Sequence, residues 1–379
     1  MTEHTAAPFG PGAGPAGQAN HPPTAPPGGM GSGSPPVAGP PPVGAPTTTS
    51  ASAAPGSGGP PAGADAARNA LIGLRAEVAK AVVGQDPAVT GLLIALLCRG
   101  HVLLEGVPGV AKTLMVRALA AALRLDMKRV QFTPDLMPGD VVGSLVYDTK
   151  TAEFEFREGP VFTNLLLADE INRTPPKTQA ALLEAMEERQ VSVEGAARAL
   201  PEPFVVAATQ NPIEYEGTYP LPEAQLDRFL LKLSLPLPSR QEEVEVLGRH
   251  AAGFDPRDLE AAGVRPVAGP EELATAREAV SQVQVSPEVL GYIVDICRAT
   301  RESPSFRLGV SPRGATALMR AARAWAWLSG RGYVTPDDVK ALTLPALRHR
   351  VELRPEAELE GVTADAVLQG ILTSVPVPR

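Results

Sequence analysis

The stretch Leu103-Leu104-Glu105-Gly106-Val107-Pro108-Gly109-Val110-Ala111-Lys112-Thr113 decides how the chain is read. An apolar run, Val102 to Leu104, enters a glycine-containing turn, and a helical pattern opens at Lys112-Thr113 and continues through Arg124. This order makes a phosphate-binding loop. The turn's backbone N–H groups surround a β-phosphate, and the helix N-terminus adds a favourable dipole. Lys112 can then reach β/γ oxygens, and the Thr113 hydroxyl can ligate Mg²⁺. Ala111 stands where the G-x-x-x-x-G-K-[ST] pattern has its last glycine. An ordinary strand–turn–helix with a stray lysine would carry similar letters, so the remaining chain has to decide between the two.

The second informative stretch is Leu165-Leu166-Leu167-Ala168-Asp169-Glu170. A continuous apolar run ending in two acids is what a central parallel strand delivers to the carboxyl edge of a sheet, where ligands bind in open α/β folds. Asp169 would hold Mg²⁺ through water, and Glu170 would orient and deprotonate an attacking water. Phe204 to Asn211 reads as another buried strand ending in polar residues, with Asn211 in reach of a γ-phosphate or the water. Arg228 precedes the last expected strand, which ends near Leu233.

Between these pieces the pattern predicts helices across 66–99, a strand over Met127 to Phe132, and a proline-broken stretch from Thr133 to Asp140. A hairpin follows, with Leu145–Tyr147 and Phe154–Phe156 on either side of a polar turn. Its aromatics either pack on the core or project as a working element. A helix after Pro175-Pro176 ends near Arg189, and Gln190 to Glu194 is expected to pair with Ala199 to Pro203. Beyond Pro236-Leu237-Pro238 the chain reads as helical. Ser311-Pro312 and Thr335-Pro336 mark two helix starts. Arg320 and Arg323 read as a solvated helix face, and His349 shows no evident partner.

The chain has 379 residues with 34 Lys+Arg against 42 Asp+Glu, a net charge of −8, so no global basic field exists to hold nucleic acid. Residues 1–65 are mostly Pro, Gly, Ala, Ser and Thr with no Leu, Ile, Tyr or Trp, and so are expected to be a disordered tail, either a passive tether or a docking peptide. The N-terminus lacks a signal-peptide pattern and no apolar run reaches spanning length, which predicts a cytoplasmic protein without a membrane span. Cys98 and Cys297 read as core residues.

Four separate stretches together resemble the MoxR family of AAA+ ATPases: Gly106–Thr113, Leu167–Arg173 with Pro175–Gln179, Ala208–Pro212, and Glu216–Phe229. The resemblance covers everything from Ala66 onward, and MoxR proteins carry a similar departure at the Ala111 position. It implies an α/β fold: an AAA+ P-loop NTPase core over 66–236 with a parallel five-stranded sheet, then an all-helical lid over 237–379. It implies ATP and Mg²⁺ as cofactors, with Gly106, Val107, Pro108, Gly109, Val110, Ala111, Lys112, Thr113 and Leu114 around the phosphates. Val82, Val83 and Gly84 match an adenine-contacting turn, while Thr113 and Asp169 match metal ligands. Glu170 matches the catalytic base, Asn211 sensor 1, Arg228 the arginine finger that enters a neighbour's site, and Arg313 a sensor 2 arginine touching γ-phosphate from the lid. The hairpins at 144–158 and 190–203 correspond to elements that contact substrates or partners. The implied activity is ATP hydrolysis at subunit interfaces of a homo-oligomeric, six-membered ring, which remodels or matures client complexes in a chaperone-like way. Clients with a von Willebrand factor A-type domain are typical partners. The competing reading is a nucleic-acid motor or ATP-dependent regulator on the same fold, which the acidic balance disfavours.

Overall fold

A computed structural model describes residues 61–210 and 219–378. Two helices lead in, α1 (Ala64–Ala79) and α2 (Asp86–Leu97), followed by β1 (Val102–Glu105), α3 (Lys112–Ala122) and β2 (Met127–Gln131). A short helix α4 (Pro138–Val142) precedes the hairpin β3 (Gly143–Asp148) and β4 (Glu153–Glu158). Then come β5 (Leu165–Asp169), α5 (Pro176–Glu188), a second hairpin β6 (Gln190–Val193) and β7 (Ala196–Ala199), β8 (Val205–Gln210), α6 (Glu223–Leu226) and β9 (Leu231–Ser234). From there the chain is nearly all helical: α7 (Arg240–Ala251), α8 (Pro270–Ser281), α9 (Pro287–Glu302), α10 (Pro312–Leu328), α11 (Pro336–Leu347), α12 (Pro355–Leu359) and α13 (Ala364–Ser374). One small antiparallel pair, β10 (Phe306–Leu308) with β11 (Glu352–Leu353), interrupts it.

The central sheet has five parallel strands in the order β2-β5-β8-β1-β9. Its inner strands are apolar up to their polar carboxyl ends because both faces are covered, and side-chain alternation sorts them between two clusters. Leu104, Leu165, Leu167, Val205 and Ala207 join α1, α2 and α3 on one face. Leu103, Leu166, Ala168, Val206 and Ala208 join Phe132, Phe229 and the α5 residues Leu182, Leu183 and Met186 on the other. The first cluster continues without a break into α8, α9, α10, α11 and α13, so the helical part shares its packing with the sheet. Cys98 and Cys297 are both buried.

Three local expectations change. The stretch after Thr133 is not wholly irregular, because Pro138 serves as the first residue of α4, where its missing N–H costs nothing. The partner of β6 is Ala196–Ala199 rather than 199–203, since Glu194 and Gly195 both take positive φ and turn the chain at once. The all-helical expectation for the lid misses the β10–β11 pair. In the first hairpin the aromatics divide. Phe156 packs against Phe162 under the Arg198 guanidinium, whereas Phe154 is 69% exposed beside Tyr147.

Candidate active site

Parallel strands put the ends of β1, β2, β5 and β8 on one edge of the sheet, and a cavity of about 400 Å³ opens there. Lys112, Thr113, Asp169 and Glu170 line it together with Pro108, Gly109, Ala111, Leu114, Arg129 and Gln131. The loop is shaped for close approach to a ligand. Gly109 has φ +88, a conformation that favours glycine, and a Cβ built on it would project into open space. Gly106 is packed instead, since a Cβ there would sit 2.9 Å from the Leu235 carbonyl. Ala111 takes φ 60, ψ 24, a left-handed conformation that a glycine adopts without strain, which explains the glycine preference at this position. Lys112 Nζ donates to the Gly106 carbonyl at 2.7 Å.

Both acids are held by neighbours. Asp169 accepts from the Thr209 hydroxyl on Oδ1 at 2.5 Å and from Arg129 on Oδ2 at 2.7 and 3.1 Å. Glu170 has left-handed backbone (φ 57), its N–H donates to Thr209 Oγ1 at 2.8 Å, and its carboxylate accepts from Gln131 at 2.6 Å and Arg173 at 2.9 Å. Arg129, Gln131, Arg173 and Thr209 are absent from the residues expected on sequence grounds. Gln131 is the last residue of β2, next to β5, an adjacency that the sequence pattern does not carry. Arg129 points to Asp169 only once the β2–β5 register is known.

The residues fit a hydrated divalent ion bound with a nucleotide. A carboxylate offers about four acceptor directions, and Asp169 has three donors on it, which leaves room for a contact through water. Among the described residues no group of three His, Cys, Asp or Glu could hold a metal by itself. The shell would therefore be completed by Thr113, water and phosphate oxygens, the set Mg²⁺ prefers.

A second cavity of about 470 Å³ shares Gly109, Ala111 and Leu114 with the first. Ala81, Val82, Val83, Val110, Leu247, Phe254 and Pro256 give it the apolar walls that suit a flat base. Val82 and Val83 therefore line a cavity joined to the phosphate loop. Gly84 does not line it. Its φ of +75 turns the chain, and a Cβ there would strike the Glu242 carboxylate at 2.5 Å.

Arg228 and Arg313 lie elsewhere. Arg228 Nε donates to Glu187 Oε2 at 2.7 Å, and Arg313 Nη2 to Glu187 Oε1 at 3.3 Å. Hydrogen bonding from Arg228 and the charges of both guanidinia hold the Glu187 carboxyl below its usual range. This cluster borders a cavity lined by Gly100 and His101, which precede β1, and by Leu230, which precedes β9. It is thus at the amino edge of the sheet, with the four-residue β1, about 13 Å long, between it and the loop. Glu187 is also about 16 Å along α5 from its start. Neither Arg313 nor Arg228 lines the Lys112 cavity of its own subunit. Asn211 lies outside the described residues.

His101 braces this edge. Its buried Nδ1 accepts the Val206 N–H at 2.9 Å, which makes Nε2 the donor to the Met186 carbonyl at 3.1 Å. Burial pushes its pKa down to about 4. His349 is buried rather than partnerless, with Nε2 2.9 Å from the Phe229 carbonyl. Arg320 and Arg323 do not form a simple solvated face. They line a cavity with Arg99 and Arg277, and Arg320 hydrogen-bonds the Cys98 carbonyl.

Comparison with known proteins agrees with this geometry. Residues 101–231 match the model of the ATPase family associated with various cellular activities (AAA), and residues 298–371 match the AAA lid domain. The fold and the loop therefore define an AAA+ ATPase. Chaperone MoxR1 of Mycobacterium tuberculosis is 42% identical over 312 residues, covering 80% of this chain and 81% of that protein. Protein MoxR of Paracoccus denitrificans is 37% identical over 78% of this chain and 93% of its own length. The uncharacterized protein YeaC of Bacillus subtilis is 52% identical, covering 81% and 95%. A crystal structure of a candidate ATPase from Cytophaga hutchinsonii superposes with a TM-score of 0.77 at 40% identity, over 83% of this chain and 97% of that one. The chain belongs to the MoxR family of AAA+ ATPases.

Proposed function

We propose that this protein hydrolyses Mg-ATP at sites shared between adjacent subunits of a ring and spends the turnover on remodelling client protein complexes. The observation that carries the reading is the separation of the two half-sites. The loop, Asp169 and Glu170 gather at the carboxyl edge, and Arg228 and Arg313 at the amino edge. A second copy can bring both arginines to the first copy's nucleotide; the same copy cannot without dismantling the sheet.

In this reading the loop amides and Lys112 bind the phosphates, and the base lies against Val82 and Val83. Thr113 and Asp169 hold Mg²⁺, which supplies charge neutralisation at the β/γ oxygens. Glu170 leaves Gln131 and Arg173 to accept a proton from water as its oxygen bonds to the γ-phosphorus. The bond to the bridging oxygen breaks, and its electron pair leaves with ADP. Asn211 orients that water, and the neighbour's Arg228 and Arg313 neutralise charge on the transferring group.

The name of the mycobacterial relative supports a chaperone-like role, and von Willebrand factor A-type proteins are the partner class we propose. The exposed Tyr147–Phe154 pair on the first hairpin offers a client-contacting element. Among the described residues no helix is long and apolar enough to cross a membrane, in keeping with action in the cytoplasm. The net negative charge weighs against a nucleic-acid motor.

The test is an ATP-dependent pull-down from the native host, with Glu170→Gln as bait and Lys112→Ala as control, alongside turnover measured against protein concentration. Proteins enriched only on the Glu170→Gln form, and specific activity that rises with concentration, are expected. Concentration-independent turnover would sink the shared site, and recovery of nucleic acid would favour the motor.

A further inference from the structure

Several carbonyls of the segment that carries Arg228, and the Asp227 carboxylate, converge on one residue of the helical lid. Arg350 follows α11, is only 6% exposed, and spends its guanidinium on the residues around the finger. Its Nε donates to Asp227 Oδ1 at 2.6 Å. Nη2 donates to the carbonyls of Phe229 at 2.7 Å and Asp227 at 3.1 Å, and Nη1 to that of Leu230 at 3.2 Å. Nη1 also hydrogen-bonds the Ala346 carbonyl of α11. A guanidinium has five N–H donors in a fixed fork, and the acceptors around Arg350 occupy every one, with His349 Nε2 also 2.8 Å from Nη1. The neighbouring His349 approaches the same Phe229 carbonyl at 2.9 Å.

The other arginine is tied to the same point. The second Asp227 oxygen accepts from the Ser311 hydroxyl at 3.2 Å. Ser311 is the N-cap of α10, whose second residue is Arg313, and its oxygen also accepts the Gly314 N–H at 3.2 Å. Gly314 is where the helix start meets Arg350: a Cβ there would sit 2.9 Å from Arg350 Cδ. Asp227 thus joins the loop of Arg228, the cap beside Arg313 and the lid residue Arg350.

We infer that Arg350 is a positioning residue that sets the aim of both Arg228 and Arg313, so that a movement of the lid relative to the sheet is transmitted to the arginines offered to the adjacent subunit. The inference rests on the shared-site reading. It does not give Arg350 contact with nucleotide: the residue is buried and acts through Asp227 and the 227–230 carbonyls. Lysine is no substitute, because a single ammonium with three donors cannot span these acceptors.

The consequence is a defect in catalysis by the neighbour with binding left intact. Misplacing a positioned group by about 1 Å costs on the order of 10²-fold in rate. Arg350→Met in the full-length chain is therefore expected to lower kcat about 10²-fold, while KM and the affinity for a fluorescent ATP analogue stay within about twofold, because Lys112 and its loop are remote. Asp227→Asn, which keeps the backbone contacts and weakens the ion pair, is expected to show a smaller loss of the same kind; it carries the test if Arg350→Met does not fold.

Subunit mixing assigns the defect to the right side of the interface. Lys112→Ala subunits lack a working loop but keep their arginines, so mixing them with Arg350→Met, or with Asp227→Asn, should give more turnover than the two separate activities added. Mixing Lys112→Ala with Arg228→Ala is the reference. A gain in the reference and none with Arg350→Met or Asp227→Asn overturns the inference, as does a loss of ATP affinity in proportion to kcat. No gain in the reference overturns the shared-site reading itself.

Discussion

The two edges of the one parallel sheet are built differently. At the carboxyl edge every group follows directly from the end of a strand: the loop from β1, Gln131 from β2, Asp169 and Glu170 from β5. Their mutual positions are set by strand register, so the cavity is assembled by the sheet. At the amino edge Arg228 and Arg313 come from segments far apart in sequence, brought together on Glu187 and fixed through Asp227, Ser311 and Arg350. The lesson is a division of labour. The carboxyl-edge cavity is positioned by the sheet, and the arginines are positioned through the helical lid.

The largest test of that division is Arg228→Ala. An arginine finger is worth about 10³ to 10⁵ in rate, roughly 4 to 7 kcal/mol of barrier, so turnover should collapse while ATP affinity measured on the same protein hardly changes. Equal losses in both would put Arg228 in its own subunit's site and erase the contrast between the edges. Glu170→Gln comes next, at about 10² to 10⁴ for a lost general base. Here too nucleotide stays bound, but the defect should persist when the variant is mixed with Lys112→Ala subunits, whose intact arginines cannot supply a base.

How legible each edge was in sequence follows the same line. The loop, the β5 run and the buried strand ending at Gln210 could be read because continuous apolar runs must be covered on both faces, and their polar ends must then reach an edge. The α10 start could be read from Ser311-Pro312, since capping is local chemistry. The side of the sheet on which Arg313 lies could not. It depends on Arg350 meeting Asp227, 123 positions apart, and no periodicity encodes that. Arg129 and Gln131 were hidden for a related reason: β2 is an edge strand, largely exposed, and its Met-Lys-Arg-Val-Gln has no pattern that marks a functional face. The β7 start was lost because Ala196-Ala-Arg-Ala199 lacks alternation.

Acid should weaken the amino edge specifically. His101 has a folded pKa of about 4 because burial disfavours its cation, against about 6.5 in the unfolded chain. The unfolded state therefore binds the extra proton first. The stabilisation is fully present above pH 6.5 and is lost as pH falls through the window toward 4, with a ceiling of roughly 3 kcal/mol at 1.36 kcal/mol per unit. Thermal unfolding followed from pH 7 to 4 should show this decline, and His101→Gln should make it shallower, leaving the part due to His349, whose pKa burial also lowers. An unchanged slope would mean that the brace between Val206 and Met186 does not titrate.

The smallest effect concerns Glu187, which occupies both arginines in the single subunit. It is a partly exposed pair, and such pairs contribute about 0 to 1 kcal/mol. Its carboxyl is held below its usual range by Arg228 first, so it remains an anion at neutral pH and competes with a phosphate for the same two guanidinia. In the shared-site reading, releasing the arginines to a neighbour's nucleotide must break these contacts, and Glu187→Gln removes the charge while leaving the shape. Turnover at saturating ATP is then expected to rise by up to about fivefold, with the midpoint of its concentration dependence moved to lower protein. A fall in turnover instead would mean that Glu187 aims the arginines rather than restrains them, and would shift part of the aiming from Arg350 to the end of α5.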